Sequence, residues 1–238
     1  MLPLKDDNPK YLKPVVTWTL IGFTILIFLW QILLPEFDGR RAIVALGAIP
    51  VVVFQRANLP PDIAMLPASL DFLTVVTSMF LHGGWLHLLG NMLYLWIFGD
   101  NVEDAMGHGR FVVFYLACGV AAVLVNAVPD TASTTPTVGA SGAIAGVLGA
   151  YLLLYPRAKV LVWAFAWFVF RLPAWLVLGG WFAMQILYAG WGGESNVAWW
   201  AHIGGMVAGM LLIPVFKYRH VGLFGSGHLT QTTPPGRR

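Results

Sequence analysis

Val15-Val16-Thr17-Trp18-Thr19-Leu20-Ile21-Gly22-Phe23-Thr24-Ile25-Leu26-Ile27-Phe28-Leu29-Trp30-Gln31-Ile32-Leu33-Leu34 is a run of 20 residues without a charge. At a rise of about 1.5 Å per residue, a helix over it is about 30 Å long, the thickness of a bilayer's hydrocarbon core. The apolar stretch of a cleaved signal peptide is shorter, about 7–15 residues, and ends at a small-residue cleavage site. This run continues instead into Pro35-Glu36-Phe37-Asp38, so it reads as a retained transmembrane helix.

Working outward, further apolar runs cover 83–99, 110–128, 139–155, 173–189 and 199–216, making six expected spans with the first. Leu161–Phe170 is as apolar but too short to cross alone, and Arg171-Leu172-Pro173 interrupts it. Such a segment is expected to lie at the membrane interface or to pack on the bundle. The composition agrees, with 58% hydrophobic and 11% charged residues in a chain of 238. Soluble domains carry about 25% charged residues. The fold class expected is all-α, a polytopic membrane helical bundle, with tails 1–14 and 218–238 solvated in the cytoplasm around a six-helix domain 15–217. The net charge of +3, with no basic stripe interleaved with exposed aromatics, argues against nucleic acid as a partner. A single cysteine, Cys118 within an apolar run, excludes an internal disulfide and a thiolate metal cluster, and reads as a small core residue.

Basic residues favour the cytoplasmic side of a membrane. With a cytoplasmic N-terminus and six spans, 11 of the 14 Lys and Arg fall inside; Arg40, Arg41 and Arg56 lie outside, in the long 35–82 segment where the rule is weakest. Both termini are then cytoplasmic, and the second, fourth and sixth spans run inward from the outer face. Their early polar residues come to one depth: His82, His87 and Asn91, then Ser141, then His202.

Polar groups are costly inside a bundle and therefore mark candidate sites. Gly139-Ala140-Ser141-Gly142-Ala143-Ile144-Ala145-Gly146-Val147-Leu148-Gly149 repeats small residues at three- and four-residue spacing, as do Gly205 and Gly209 after His202. Small faces let helix backbones approach closely. Packing these two together would bring the Ser141 hydroxyl within reach of the His202 imidazole, the adjacent base that a serine nucleophile needs. Taken singly, the stripes are ordinary packing surfaces and the serine an ordinary back-bonder to its own helix; matched depth is what links the pair. His87 and Asn91, four apart and so on one helix face, can both donate hydrogen bonds, as an oxyanion hole requires or as an interhelical clasp would. His82, before Gly83-Gly84, is expected to organise the outer loop. The fourth span, 17 residues and about 25 Å, is shorter than the core, so Ser141 is expected below the surface beneath a dipping Asp130–Thr137, in a wet depression.

These residues resemble a known family. Gly139-Ala140-Ser141-Gly142 is similar to the GxSG of rhomboid intramembrane serine proteases, Ala201-His202-Ile203-Gly204-Gly205 to their AHxxG, and His82-Gly83-Gly84-Trp85-Leu86-His87-Leu88-Leu89-Gly90-Asn91 to their second-helix signature. The order and spacing match over roughly residues 10–217. The resemblance implies a rhomboid-like fold and a serine endopeptidase that cuts other membrane proteins near the outer end of a transmembrane segment. It implies Ser141 as nucleophile, His202 as base, and an oxyanion hole from the Ser141 amide with His87 and Asn91. It also implies a gate helix from Pro173 to Ala189, a cap loop from Gly190 to Ala198, no cofactor or metal, and residence in a bacterial or archaeal plasma membrane. Two places depart from the family pattern. Leu73-Thr74 stand where many members have Trp-Arg, and Ala145 stands where many have the tyrosine on which the base stacks. A metalloprotease or aspartyl protease is disfavoured, since there is no His-Glu-x-x-His and no aspartate pair within the spans. A transporter would want inverted repeats or broken helices, and a haem bundle on His82, His87 and His202 leaves Ser141 without a role.

Overall fold

The computed structural model describes residues 2–55, 57–65, 67–165, 168–191 and 197–225. In chain order these form β1 (Leu2–Asp6), α1 (Val15–Leu33), α2 (Glu36–Leu46), α3 (Pro50–Val53), α4 (Thr74–Thr77) between two 3₁₀ turns, α5 (Trp85–Met106) and α6 (His108–Ala127). They continue with α7 (Ser141–Leu154), the strands β2 (Lys159–Phe165) and β3 (Phe168–Pro173), α8 (Ala174–Trp191) and α9 (Trp199–Phe216). Helices stand at all six expected places. Three of them, α1, α6 and α9, are long and apolar enough to cross a membrane. A fourth span arises if Leu70–Phe80 and α5, bent by 83° at their junction, are taken together. The helix α7, with 14 residues, is shorter than expected and spans only about 21 Å.

The expectation of a wholly helical chain is corrected. Leu161–Phe170 packs on the bundle, one of the two placements expected, but as strand rather than helix: its described residues form most of an antiparallel hairpin, and β1 pairs with it to make a three-stranded sheet in the order β1-β2-β3. The physical reason lies in β2, where Val160 and Val162, two apart and fully buried, present one face to the core while Lys159 and Trp163 point away. Residues 2–12 are accordingly part of the folded body rather than a solvated tail. Of the expected tail 218–238, residues 218–225 likewise lie on the body, the Tyr218 and Phe224 amides donating to the carbonyls of Ala105 and Leu153 at 2.9 and 2.7 Å, and the rest lies outside the described residues.

The core centres on α7, which packs against α5, α6, α8 and α9. Every residue from Gly142 to Tyr151 on it is buried. Its contact with α9 is backbone on backbone: a Cβ added at Gly205 would overlap the Gly142 carbonyl, and one at Gly209 the Gly146 carbonyl. Without a hydrophobic driving force between helices in lipid, close van der Waals approach of this kind is what holds them.

Opposite the site, a carboxylate layer at the end of α5 fixes the N-terminal segment. Glu103, fully buried, accepts hydrogen bonds from the Val16 amide (3.0 Å), the Thr17 amide (2.8 Å) and the Thr17 hydroxyl (2.7 Å), and pairs with His108 Nδ1. The first helical amides of α1 have no intrahelical partner, so this side chain from another helix caps them. Asp104 accepts from the amides of Tyr11 and Leu12, Lys10 pairs with Asp100, and Tyr151 donates to Asp6 at 2.6 Å.

Overpacking an interface this tight costs roughly 1–3 kcal/mol or more. Gly209→Ala is expected to lower the unfolding free energy by at least about 2 kcal/mol. Gly179→Ala, whose Cβ meets nothing within 4 Å, should be near neutral. Denaturant or thermal unfolding of both variants in one detergent compares them directly.

Candidate active site

Ser141 is the first residue of α7, so its side chain stands at the end of the central helix and its amide is one of the helix's unsatisfied donors. The turn before it is fixed from two sides. The Gly139 amide donates to the Ser78 carbonyl at 2.9 Å, and Thr137 exchanges backbone hydrogen bonds of 2.8 and 3.0 Å with Ala48. Gly139 has φ +126°, a left-handed conformation that side chains rarely adopt. A Cβ there would also stand 2.7 Å from both Cε1 and Nε2 of His87, so the imidazole of α5 lies directly over this turn.

From α9, His202 brings Nε2 to 2.9 Å from Ser141 Oγ. The two residues are 61 apart in sequence, and the α7–α9 backbone contact is what makes them neighbours. The other ring nitrogen, Nδ1, lies 2.7 Å from Gln185 Oε1 on α8. Trp181, one turn earlier on α8, leans over the imidazole with ring centroids 5.5 Å apart at 38°, and Trp199 meets it edge-on at 6.3 Å. Two indoles and an amide therefore surround the ring where Ala145, fully buried, offers only a methyl.

Asn91 is buried on α5, and its Nδ2 has no hydrogen-bond partner among the described residues. A buried donor without a partner costs roughly 1–3 kcal/mol. It lines a cleft of about 1150 Å³ that also receives His87, Ser141, His202 and Trp181. The expected depression over Ser141 is this cleft, and Asp130, Ser133, Thr135 and Thr137 contribute its polar wall. His82 is set apart. Its backbone amide and carbonyl are both bound by the side chain of Gln31 on α1, at 3.2 and 2.7 Å, which ties α1 to the start of α5. Its ring meets His87 edge-on at 5.0 Å but reaches neither Ser141 nor His202 by hydrogen bond.

The structure thus brings Ser141, His202, His87 and Asn91 to one cleft. Gln185, Trp181 and Trp199 escape motif reading; the signal available for Gln185 is a long polar side chain inside an apolar helix, which is costly unless it has a partner. Leu73-Thr74 close a turn in which the Thr74 hydroxyl donates to the Asp71 carbonyl at 2.6 Å, and Thr74 is buried. In the loop Gly190 to Ala198, residues 192–196 lie outside the described residues.

Comparison with known proteins bears on this geometry. The family model for the Rhomboid domain matches residues 69–219. Rhomboid protein 1, mitochondrial, of Saccharomyces cerevisiae is 32% identical over 190 residues, covering 72% of this chain and 52% of its own. Rhomboid protease GluP of Bacillus subtilis is 31% identical over 214 residues, 90% of this chain and 37% of its own. Rhomboid-like protease 5 of Toxoplasma gondii is 35% identical over 145 residues, 59% and 16%. The chain thus spans about half or less of the length of these relatives.

Gly139→Ala combines a disfavoured φ with a collision against His87 and is expected to cost about 1–3 kcal/mol of stability. It should also move the His87 ring, seen as a changed imidazole signal in NMR spectra of histidine-labelled protein. An unaltered His87 signal with unaltered stability would contradict the packing described.

Proposed function

This chain belongs to the rhomboid family, and from that premise we propose that it is a serine endopeptidase that hydrolyses peptide bonds in or near transmembrane segments of other membrane proteins. The observation that carries the reading is the 2.9 Å contact between His202 Nε2 and Ser141 Oγ. At that distance the imidazole can remove the hydroxyl proton as the oxygen attacks the scissile carbonyl, then return it to the leaving amine. Water, activated by the same nitrogen, releases the acyl group. Charge on the carbonyl oxygen needs preorganised donors. Ser141 with its amide, Asn91 with its unpartnered Nδ2, and His87 with its ring above Gly139 line the same cleft. No cofactor or metal enters this chemistry.

We further propose that α1, α5, α6, α7, α8 and α9 cross the membrane six times with both termini in the cytoplasm, as the Lys and Arg distribution favours. The plasma membrane is the location proposed. Substrate enters past α8 (the gate), with loop 190–198 as cap. The support is that α8 buries only Ala174, Leu178 and Gln185, the sparsest packing of the helices that surround α7.

A fluorophosphonate should label the wild-type protein in active lipid and fail to label Ser141→Ala. Both Ser141→Ala and His202→Ala should abolish cleavage of a single-span substrate while remaining folded. Wild-type protein that neither labels nor cleaves would sink the enzymatic reading. For Asn91→Ala and His87→Ala the expected loss in kcat is about 10²–10³-fold each, the usual worth of an oxyanion donor. Unchanged rates in both would remove α5 from the mechanism.

A further inference from the structure

Gln185 forms two hydrogen bonds, and together they leave it a single orientation. Its Nε2 donates to the Trp181 carbonyl at 3.3 Å, one turn back on α8. A carbonyl can only accept, so the amide nitrogen must face Trp181 and the amide oxygen must face His202. That oxygen stands 2.7 Å from His202 Nδ1 and can only accept as well. Nδ1 must therefore carry the proton, and in the neutral ring Nε2 must then present its lone pair to Ser141 Oγ, 2.9 Å away. The opposite tautomer would set two acceptors against each other at Nδ1 and offer Ser141 an N–H that cannot take its proton.

We propose that Gln185 is a positioning residue that fixes His202 in the tautomer able to act as base, and that it makes the base's competence depend on α8 being seated against α9. The inference rests on the peptidase reading and deepens it. Gln185 is only 4% exposed, whereas the residues beside it on α8, Met184 and Ile186, are each 49% exposed. Its side chain is thus the polar contact by which an otherwise lightly packed helix holds the catalytic ring. Trp181 supplies both the carbonyl that aims Gln185 and the indole that leans on the imidazole. Displacing α8 outward withdraws the acceptor and the indole together. His202 is then free to change tautomer or rotate. The amide is neutral in both protonation states of the ring, so it can keep its hydrogen bond when the imidazolium forms, without the charge a carboxylate would bring.

Two variants separate positioning from structure. Gln185→Met is unbranched and of similar length but cannot accept the Nδ1 proton. Gln185→Glu keeps an acceptor and, when protonated, can also donate to the Trp181 carbonyl. With a single-span substrate, Gln185→Met should lose at least about 10- to 100-fold in kcat, the usual loss when the partner that orients a metal-bound histidine is removed, with KM changed less than about threefold. Gln185→Glu should recover most of that loss. Independently of turnover, ¹⁵N-histidine spectra recorded on Ser141→Ala protein should report His202 protonated at Nδ1, and a mixture of tautomers when Gln185→Met is added. Retention of the Nδ1–H tautomer in Gln185→Met, a wild-type kcat in that variant, or failure of Gln185→Glu to recover activity would each overturn the proposal. Wild-type protein that shows the Nδ1–H tautomer, lost in Gln185→Met, yet neither labels nor cleaves would overturn the peptidase reading and leave the positioning role standing.

Discussion

Everything at the site depends on two helix backbones touching. Gly205 and Gly209 of α9 lie against the carbonyls of Gly142 and Gly146 on α7, with no side chain between them. Leucine or valine at either place would separate the helices by more than the reach of a serine hydroxyl. The short side chain of Ser141 and the 2.9 Å contact with His202 are therefore two expressions of one packing constraint. In lipid, where apolar side chains gain little by leaving their solvent, such an approach is also the means by which helices cohere.

The second constraint is the cost of unpaired polar groups in an apolar surrounding. At one end of the bundle Glu103 meets it, taking three donors from the start of α1 and also contacting His108. At the other end the pairing is incomplete, since Asn91 keeps a buried donor without a partner beside the cleft.

Much of this was legible in the sequence because the signals were local or periodic. Apolar runs mark the places of α1, α5, α6, α7, α8 and α9, and small-residue spacing links Ser141 to His202. His87 and Asn91 followed from an i, i+4 relation. What escaped was non-local. The pairing of Leu2–Asp6 with Lys159–Phe165 joins segments more than 150 residues apart, and no property of either segment names the other. Val160 and Val162 did carry a strand signal, but the surrounding aromatic run masked the alternation. The partner of the imidazole was hidden for a similar reason. The family resemblance directs attention to position 145 on α7, while the groups that hold His202 come from α8, at Trp181 and Gln185.

The cap on α1 has a consequence for how the molecule is made. Thr17 and its acceptor Glu103 are 86 residues apart. When α1 leaves the ribosome and enters the bilayer, the carboxylate that will close its first turn has not yet been synthesised. Until then the leading amides of α1 must find other partners, such as water or lipid headgroups. Only when α5 has followed it into the membrane can that end dehydrate and lock. Glu103 thus joins α1 to a part of the body that is synthesised after it.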